Sequence, residues 1–291
     1  MISRTRYFAR ALVAGLALAA LPVPAADVDS QRTGGPYVPT PQVVVDEMLR
    51  MAKVGANDFV VDLGSGDGVI VLTAAQKFKA RGFGVDIDPD LVKLSNTEAR
   101  RLGVADRARF FVQDVFKTDI SKATVVTLYL LPGMMVNLRP KIFGELRPGT
   151  RVVSHDYHFA SEWMPDEQYT WDVPEKEKVN GVPSATIYLW IVPAKVAGRW
   201  QVRVAAPAAA EYEVTLRQNH QNFEGTADGD VARGARFTQT RLRGEEISFA
   251  FPAGGGRHLF RGRVSGDTME GSVELAGGKG TAKWTATRLK G

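Results

Sequence analysis

Residues 60–72 read VVDLGSGDGVIVL: an apolar run ends at Asp62, breaks into Gly64, Gly66 and Gly68, and resumes as a second apolar run. A short buried strand that enters a helix through a glycine turn satisfies this pattern. Such a turn leaves free backbone N–H groups at the start of the helix, and its glycines remove the side chains that would hold a ligand away. A phosphate-binding loop needs Lys and Ser/Thr after its last glycine, whereas Val69 and Ile70 stand there. The turn also carries two acids, Asp62 and Asp67, which repel a pyrophosphate and suit a ligand bearing an ammonium group and hydroxyls.

On the N-terminal side, TPQVVVDEMLRMAKVG (residues 40–55) predicts a helix, with Thr40 as N-cap, Pro41 at the first position and Val44, Met48, Leu49 and Met51 near one face. On the C-terminal side the helix after the glycines is expected over about 67–79. Strands are expected at GFGVDID, ARFFVQD, ATVVTLYLL and GTRVVSHDY. Helices are expected at DPDLVKLSNTEARRLG and at GMMVNLRPKIFGEL, the latter with Pro140 inside it. This alternation predicts an α/β, Rossmann-like sheet, mostly parallel and covered on both faces. YTWDVPEKE and SATIYLWIVPA, joined by the turn-rich KVNGVPS, read as an antiparallel hairpin at its edge. Asp86 closes the second strand and Asp114 the third. Together with Asp62 they line up acids along the sheet edge where ligands of such folds bind.

From residue 198 the helical period disappears. Eight short alternating segments, from WQVRVA to TAKWTATRL and punctuated by Gly and Asp, predict a small all-β sandwich or barrel over 198–291. The join PAKVAGRW is short, so the two domains, 27–197 and 198–291, are expected to pack together. Arg241, Arg243, Arg257, Arg261 and Arg263 of the β-domain are read as a solvated surface.

The first 26 residues have arginines, then an apolar stretch from Ala11 to Leu21, then PVPAA, which reads as a secretory signal peptide cleaved after Ala25 or Ala26. The expected location is periplasmic; the alternative is an uncleaved membrane anchor, although the stretch is short of the roughly 20 residues needed to span a bilayer. No later segment is long enough to span. Net charge is +5, from 37 basic and 32 acidic residues, and three of the basic ones are Arg4, Arg6 and Arg10 in the leader. Nucleic acid is therefore not expected as the main partner. The absence of cysteine excludes disulfides, thiolate metal sites and cysteine nucleophiles. His155, Asp156 and His158 end the fifth strand; His155 and Asp156 point to opposite faces and cannot converge without a bend, so no metal site is expected there.

The motifs VVDLGSGDG, GVDID and FFVQD, in this order, resemble the class I S-adenosylmethionine-dependent methyltransferases over roughly 36–193. PYVPTP, TLYLLP and LRPKIFGELRPGTRVVSHDYHF make the chain most similar to the Dot1-like and ATP synthase c-subunit lysine methyltransferase type. The resemblance implies S-adenosyl-L-methionine as cofactor. It implies that Asp62, Gly64, Ser65, Gly66 and Gly68 hold its amino acid end, that Asp86 takes the ribose hydroxyls, and that Asp114 faces the adenine. Tyr37 is expected as part of a lid. Tyr129, Leu131 and Pro132 are expected to wall the place where methyl and acceptor meet, with His155 as a further candidate beside it. Dot1-type enzymes carry Asn-Phe-x-Phe where this chain has Tyr-Leu-Leu-Pro, so a histone-like acceptor is not implied.

The expected activity is N-methylation of a protein lysine. A lysine attacks only as the free amine, which a dry apolar pocket favours. The alternative is an exported, catalytically inactive binding protein whose β-domain carries the function. A nicotinamide-dependent oxidoreductase is disfavoured by Asp67 inside the glycine turn.

Overall fold

The computed structural model describes residues 35–206, 209–278 and 280–290, so the expected signal peptide lies outside the described residues. Seven strands form the first sheet: β1 (Phe59–Leu63), β2 (Arg81–Asp86), β3 (Ala108–Val112), β4 (Val125–Leu128), β5 (Arg151–His155), β6 (Glu167–Asp172) and β7 (Ser184–Ile191). Their order is β3-β2-β1-β4-β5-β7-β6; the first five run parallel, β7 is antiparallel to β5, and β6 is antiparallel to β7.

Among the described residues, five α-helices cover or flank the sheet: α1 (Gln42–Met51), α2 (Val69–Phe78), α3 (Pro89–Arg101), α4 (Pro132–Glu145) and α5 (Pro174–Asn180). Successive strand residues point to opposite faces, and both faces are dry. Val60, Val125 and Val153 pack against Val45, Met48 and Leu49 of α1, while Val61, Val126 and Val152 pack with Met135, Leu138 and Ile142 of α4. That double burial is why β1 and β4 read as continuous apolar runs.

Local departures from expectation have local causes. Helix α1 begins one residue later than read, with Pro41 as its extended N-cap and no side-chain cap. Helix α2 starts at Val69 because Gly68 sits left-handed at its N-cap (φ 81°). β3 stops at Val112, two residues short of Asp114. PEKE, read as the end of the strand YTWDVPEKE, and KVN, read as the start of the turn after it, together form a short helix, α5: Pro174 at its first position, acids Glu175 and Glu177 in its first turn and a left-handed Gly181 after it are helix signals.

Gly68 is fixed by packing as well as by its dihedral. A Cβ there would lie 2.6 Å from Phe110 Cζ and 2.9 Å from Ser95 Cβ. Gly68→Ala is therefore expected to cost about 2–4 kcal/mol in strain and overpacking. Differential scanning calorimetry should show a melting temperature lower by about 5–10 °C.

The second sheet is antiparallel throughout: β8 (Gly198–Val204), β9 (Ala210–Asn219), β10 (Asn222–Gly229), β11 (Ala232–Arg236), β12 (Thr238–Arg243), β13 (Glu246–Ala253), β14 (Gly256–Ser265), β15 (Thr268–Glu274) and β16 (Thr281–Arg288). Its order is β11-β10-β9-β8-β16-β15-β14-β13-β12, so the first and last strands of the meander pair. The two remaining edges, β11 and β12, are consecutive in the chain. Phe237 between them donates its N–H to Gly225 O of β10 at 2.8 Å, while Thr238 pairs with Ala250 of β13. The sheet thus curls into a nearly closed barrel, which decides between the two expected architectures. Its interior is filled by aromatic side chains: Phe237, Phe249, Phe251 and Phe260 stack with centroids 4.5–6.3 Å apart, and Trp284 and Tyr212 meet them edge-on.

The join between the domains is held on several sides. Gln218 accepts from Val196 N–H at 2.7 Å and donates to Ala194 O at 2.8 Å, and Arg288 stacks its guanidinium 4.2 Å over Trp200. His220 of the barrel packs on Phe143 and Trp163 of the first domain, with centroids 4.9 and 6.0 Å away.

Candidate active site

The C-terminal ends of the parallel strands open into a cavity of about 650 Å³, within the range that holds a cofactor-sized ligand. Its head is the glycine turn after β1. Gly64 and Ser65 both donate N–H to Val85 O at 2.9 Å, which ties the turn to β2. Gly66 donates its N–H to Asp86 Oδ2 at 2.9 Å, and Asp88 N–H reaches Asp86 Oδ1 at 3.0 Å, so the Asp86 carboxylate is aimed before any ligand arrives. Tyr37 lies over the turn: a Cβ on Gly66 (φ 51°) would sit 2.6 Å from its ring. Its phenol is pushed up by burial and by the neighbouring Asp67.

Asp62 is the most unusual group here. It is buried (2% exposed); Oδ1 accepts from Thr127 Oγ1 at 2.6 Å, and Oδ2 has no partner among the described residues. Burial first, then Asp86 and Asp67, push its carboxyl up to about 7, against the hydrogen bond from Thr127. An unpartnered buried carboxylate oxygen beside a cavity fits an ammonium group. The hydroxyl of Ser65 is likewise buried without a partner. These orphaned atoms, with Asp86 and Asp114 further along the same cavity, fit the amino acid end, ribose and base of S-adenosyl-L-methionine.

On the β4–β5 side the same cavity is lined by Tyr129, Leu131 and Tyr157, with Asn180 of α5. The Tyr129 ring lies 4.1 Å from His155 and 6.1 Å from Tyr157. Burial first, then the nearby Asp156 and Tyr157, push its hydroxyl up to about 12, against the Asn180 side chain. His155 is fully buried, neither ring nitrogen has a hydrogen-bond partner among the described residues, and burial pushes it down to about 4. It backs Tyr129 and is not among the groups that line the cavity.

Of the residues singled out from sequence, Tyr37, Asp62, Gly64, Ser65, Gly66, Asp86, Asp114, Tyr129 and Leu131 line this one cavity. Gly68 is the N-cap of α2 and Pro132 the first residue of α4; neither lines it, and their role is to set the turns beside it. The bend that His155 and Asp156 need in order to converge is present. Asp156 follows the strand with a left-handed backbone (φ 59°), which swings its carboxylate back until Oδ2 lies 3.4 Å from His155 Nε2. Sequence reasoning missed Tyr157 and Asn180. The first sits past a strand end, and the second sits on the helix read as a turn.

Comparison with known proteins finds methyltransferases. A family model described as the ANTKMT methyltransferase domain matches residues 62–167. A protein-lysine N-methyltransferase of Saccharolobus islandicus is 41% identical over 159 residues, which cover 54% of this chain and 93% of that relative. The ATP synthase c-subunit lysine N-methyltransferases of Xenopus laevis and Homo sapiens are 38% and 35% identical over 132 residues, 45% of this chain and a little over half of their own length (57% and 55%). A solved RNA methyltransferase from Salinibacter ruber, in complex with S-adenosyl-L-homocysteine, is 48% identical, covering 55% of this chain and 96% of that one, with a TM-score of 0.49.

Proposed function

The chain belongs to the protein-lysine N-methyltransferase family of S-adenosyl-L-methionine-dependent methyltransferases, and from that we propose that it N-methylates a lysine side chain of a protein acceptor. The single observation that carries this reading is one continuous cavity lined both by the orphaned Asp62 carboxylate and by Tyr129, Tyr157 and Asn180. A catalytically inactive binding protein is not supported, because the chain's relatives are named as enzymes and the acids of the cofactor end share one cavity.

The cofactor supplies an activated methyl group on a sulfonium, so the protein's task is to position more than to exchange protons. Asp62 holds the ammonium of the amino acid end, assisted by the hydroxyl of Ser65 and the N–H groups of the glycine turn. Asp86, already fixed by Gly66 and Asp88, takes the ribose hydroxyls. Asp114, whose Oδ1 accepts from Phe116 N–H at 2.8 Å, holds the base end of the cavity in shape. Tyr37 closes over the turn. Tyr129, Leu131 and Tyr157 wall off the acceptor, exclude water and favour the uncharged amine.

The reading is tested by incubating the protein with methyl-labelled S-adenosyl-L-methionine and fractionated extract of its host. Label should enter material that is destroyed by protease and resists ribonuclease, and should be recovered as methyllysine after acid hydrolysis. Ribonuclease-sensitive label, or label on another amino acid, overturns it. We also propose that residues 1–26 direct export; label confined to cytoplasmic acceptors, together with a native protein that begins at Met1, overturns that part.

A further inference from the structure

Beneath the acceptor end lies a buried charge pair that the sequence does not announce. Lys176 of α5 is only 3% exposed, and its Nζ lies 2.6 Å from Asp156 Oδ2. The same ammonium also donates to Ser184 O. Asp156 is held in turn by backbone: its N–H donates to Thr186 O at 2.7 Å, and its Oδ1 accepts from Thr186 N–H at 3.1 Å. A left-handed backbone at a non-glycine residue is uncommon and favours Asp and Asn over other side chains. The chain thus accepts an unusual dihedral and a buried lysine to put one carboxylate behind the Tyr129 hydroxyl.

We propose that the Lys176–Asp156 pair is a positioning device for methyl transfer: Asp156 turns the Tyr129 hydroxyl proton away from the cavity, and Lys176 cancels the charge that the acceptor amine would otherwise feel. Tyr129 and Asn180 line the same cavity, and the Tyr129 ring packs 4.1 Å from His155, whose Nε2 is 3.4 Å from Asp156 Oδ2; a hydroxyl that gives its proton to Asp156 keeps a lone pair for an N–H of the incoming amine. That contact aims the amine's own lone pair along the cavity. An uncompensated Asp156 would hold the acceptor as its ammonium, which cannot attack; the paired Lys176 removes that penalty. The inference rests on the methyl-transfer reading above and names residues that act through Tyr129 without touching the acceptor.

The other ionisable groups around the pair are His155 on β5, Tyr129 after β4, Tyr157 after β5 and Tyr188 on β7. Burial holds His155 neutral at pH 8 and raises Tyr129 and Tyr188, so none of these three carries a charge there. Asp62, Asp67 and Asp86 stand at the cofactor end and are unaltered in the variants below.

Sinefungin tests this without an identified acceptor, because it carries an amine where the sulfonium carries its methyl group. Its affinity is compared with that of S-adenosyl-L-homocysteine, which lacks the amine, by calorimetry at pH 8 on the full chain. In Lys176→Met the preference for sinefungin should rise by on the order of tenfold, because the unpaired Asp156 now favours an ammonium. Lys176→Arg, which keeps the charge, should leave the preference within about twofold of the wild-type value. A preference that is unmoved or lowered in Lys176→Met, or moved alike in both variants, overturns the proposal. Should Lys176→Met lose S-adenosyl-L-homocysteine binding through misfolding, Asp156→Asn is read instead. Asn tolerates the left-handed backbone, and the preference should fall by a similar factor; no fall overturns the proposal. Wild-type protein that binds neither compound overturns the methyl-transfer reading and this inference with it, whereas intact binding with an unmoved preference overturns this inference alone.

Discussion

Asp62→Asn is expected to lower affinity for S-adenosyl-L-methionine about a hundredfold at pH 8 and, in the ligand-free protein, to raise stability. Both effects come from the same atom. Asp62 Oδ2 is buried with no partner, while Oδ1 keeps the Thr127 hydroxyl. Removing one side of a buried charge pair costs several kcal/mol, and about 2.8 kcal/mol is already a hundredfold. Without ligand the sign reverses. Burial raises the Asp62 carboxyl from 3.8 to about 7, so between those values the folded protein holds a proton that the unfolded chain has released. The stability tied to that proton is full at the acid end and is lost as pH rises toward 7, by at most about 4 kcal/mol. A neutral amide escapes this loss, so above pH 7 the variant should melt higher than the wild type in calorimetry. The wild type should also bind the cofactor about tenfold more weakly per pH unit below about 7, because Asp62 must then shed a proton to pair with an ammonium. A variant with wild-type affinity would remove Asp62 from the binding site. Loss of affinity with loss of stability would make it a structural residue.

The cofactor end was legible in the sequence because its chemistry is local. Asp62, the glycines and Asp86 sit within one strand–turn–helix–strand unit, and hydrophobic periodicity fixes where such strands end. The acceptor end was legible only in part. Tyr129 and Leu131 follow directly from β4, but Lys176 and Asn180 lie on a seven-residue helix, PEKEKVN, that has no apolar period, so that PEKE reads as strand and KVN as turn. Lys176 is nevertheless buried, because Asp156, twenty residues earlier, turns back to meet it. Strand alternation leaves His155 and Asp156 on opposite faces unless the chain bends, and the left-handed backbone at Asp156 supplies that bend. The barrel shows the same limit. Eight alternating segments announced its strands, but β11 stayed hidden in VARGAR, and closure depends on Phe237 bridging two strands that sequence treats as one. Local pattern reveals elements; the pairs that make the acceptor end and close the barrel are long-range.

Tyr129→Phe is expected to lower kcat about a hundredfold, and Tyr129→Ala about a thousandfold, with the affinity for S-adenosyl-L-homocysteine changed less than about threefold in both. The two variants separate two functions of one side chain. The ring stacks on His155 and Tyr157 and forms the wall that keeps water from the acceptor amine. Phenylalanine preserves that wall but loses the hydroxyl that Asp156 and Asn180 act on, so the amine enters a dry pocket without a hydrogen-bond acceptor to orient it. Alanine loses the wall as well, and water that enters stabilises the ammonium form and raises the cost of reaching the reactive amine. The cofactor's amino acid, ribose and base contacts lie with Asp62, Asp86 and Asp114, which neither substitution touches. Single-turnover methylation of the acceptor found by labelling, with calorimetry on the same preparations, checks both halves. Full turnover in Tyr129→Phe would leave the ring as a wall and nothing more. A parallel loss of cofactor affinity would place Tyr129 on the cofactor and not on the acceptor.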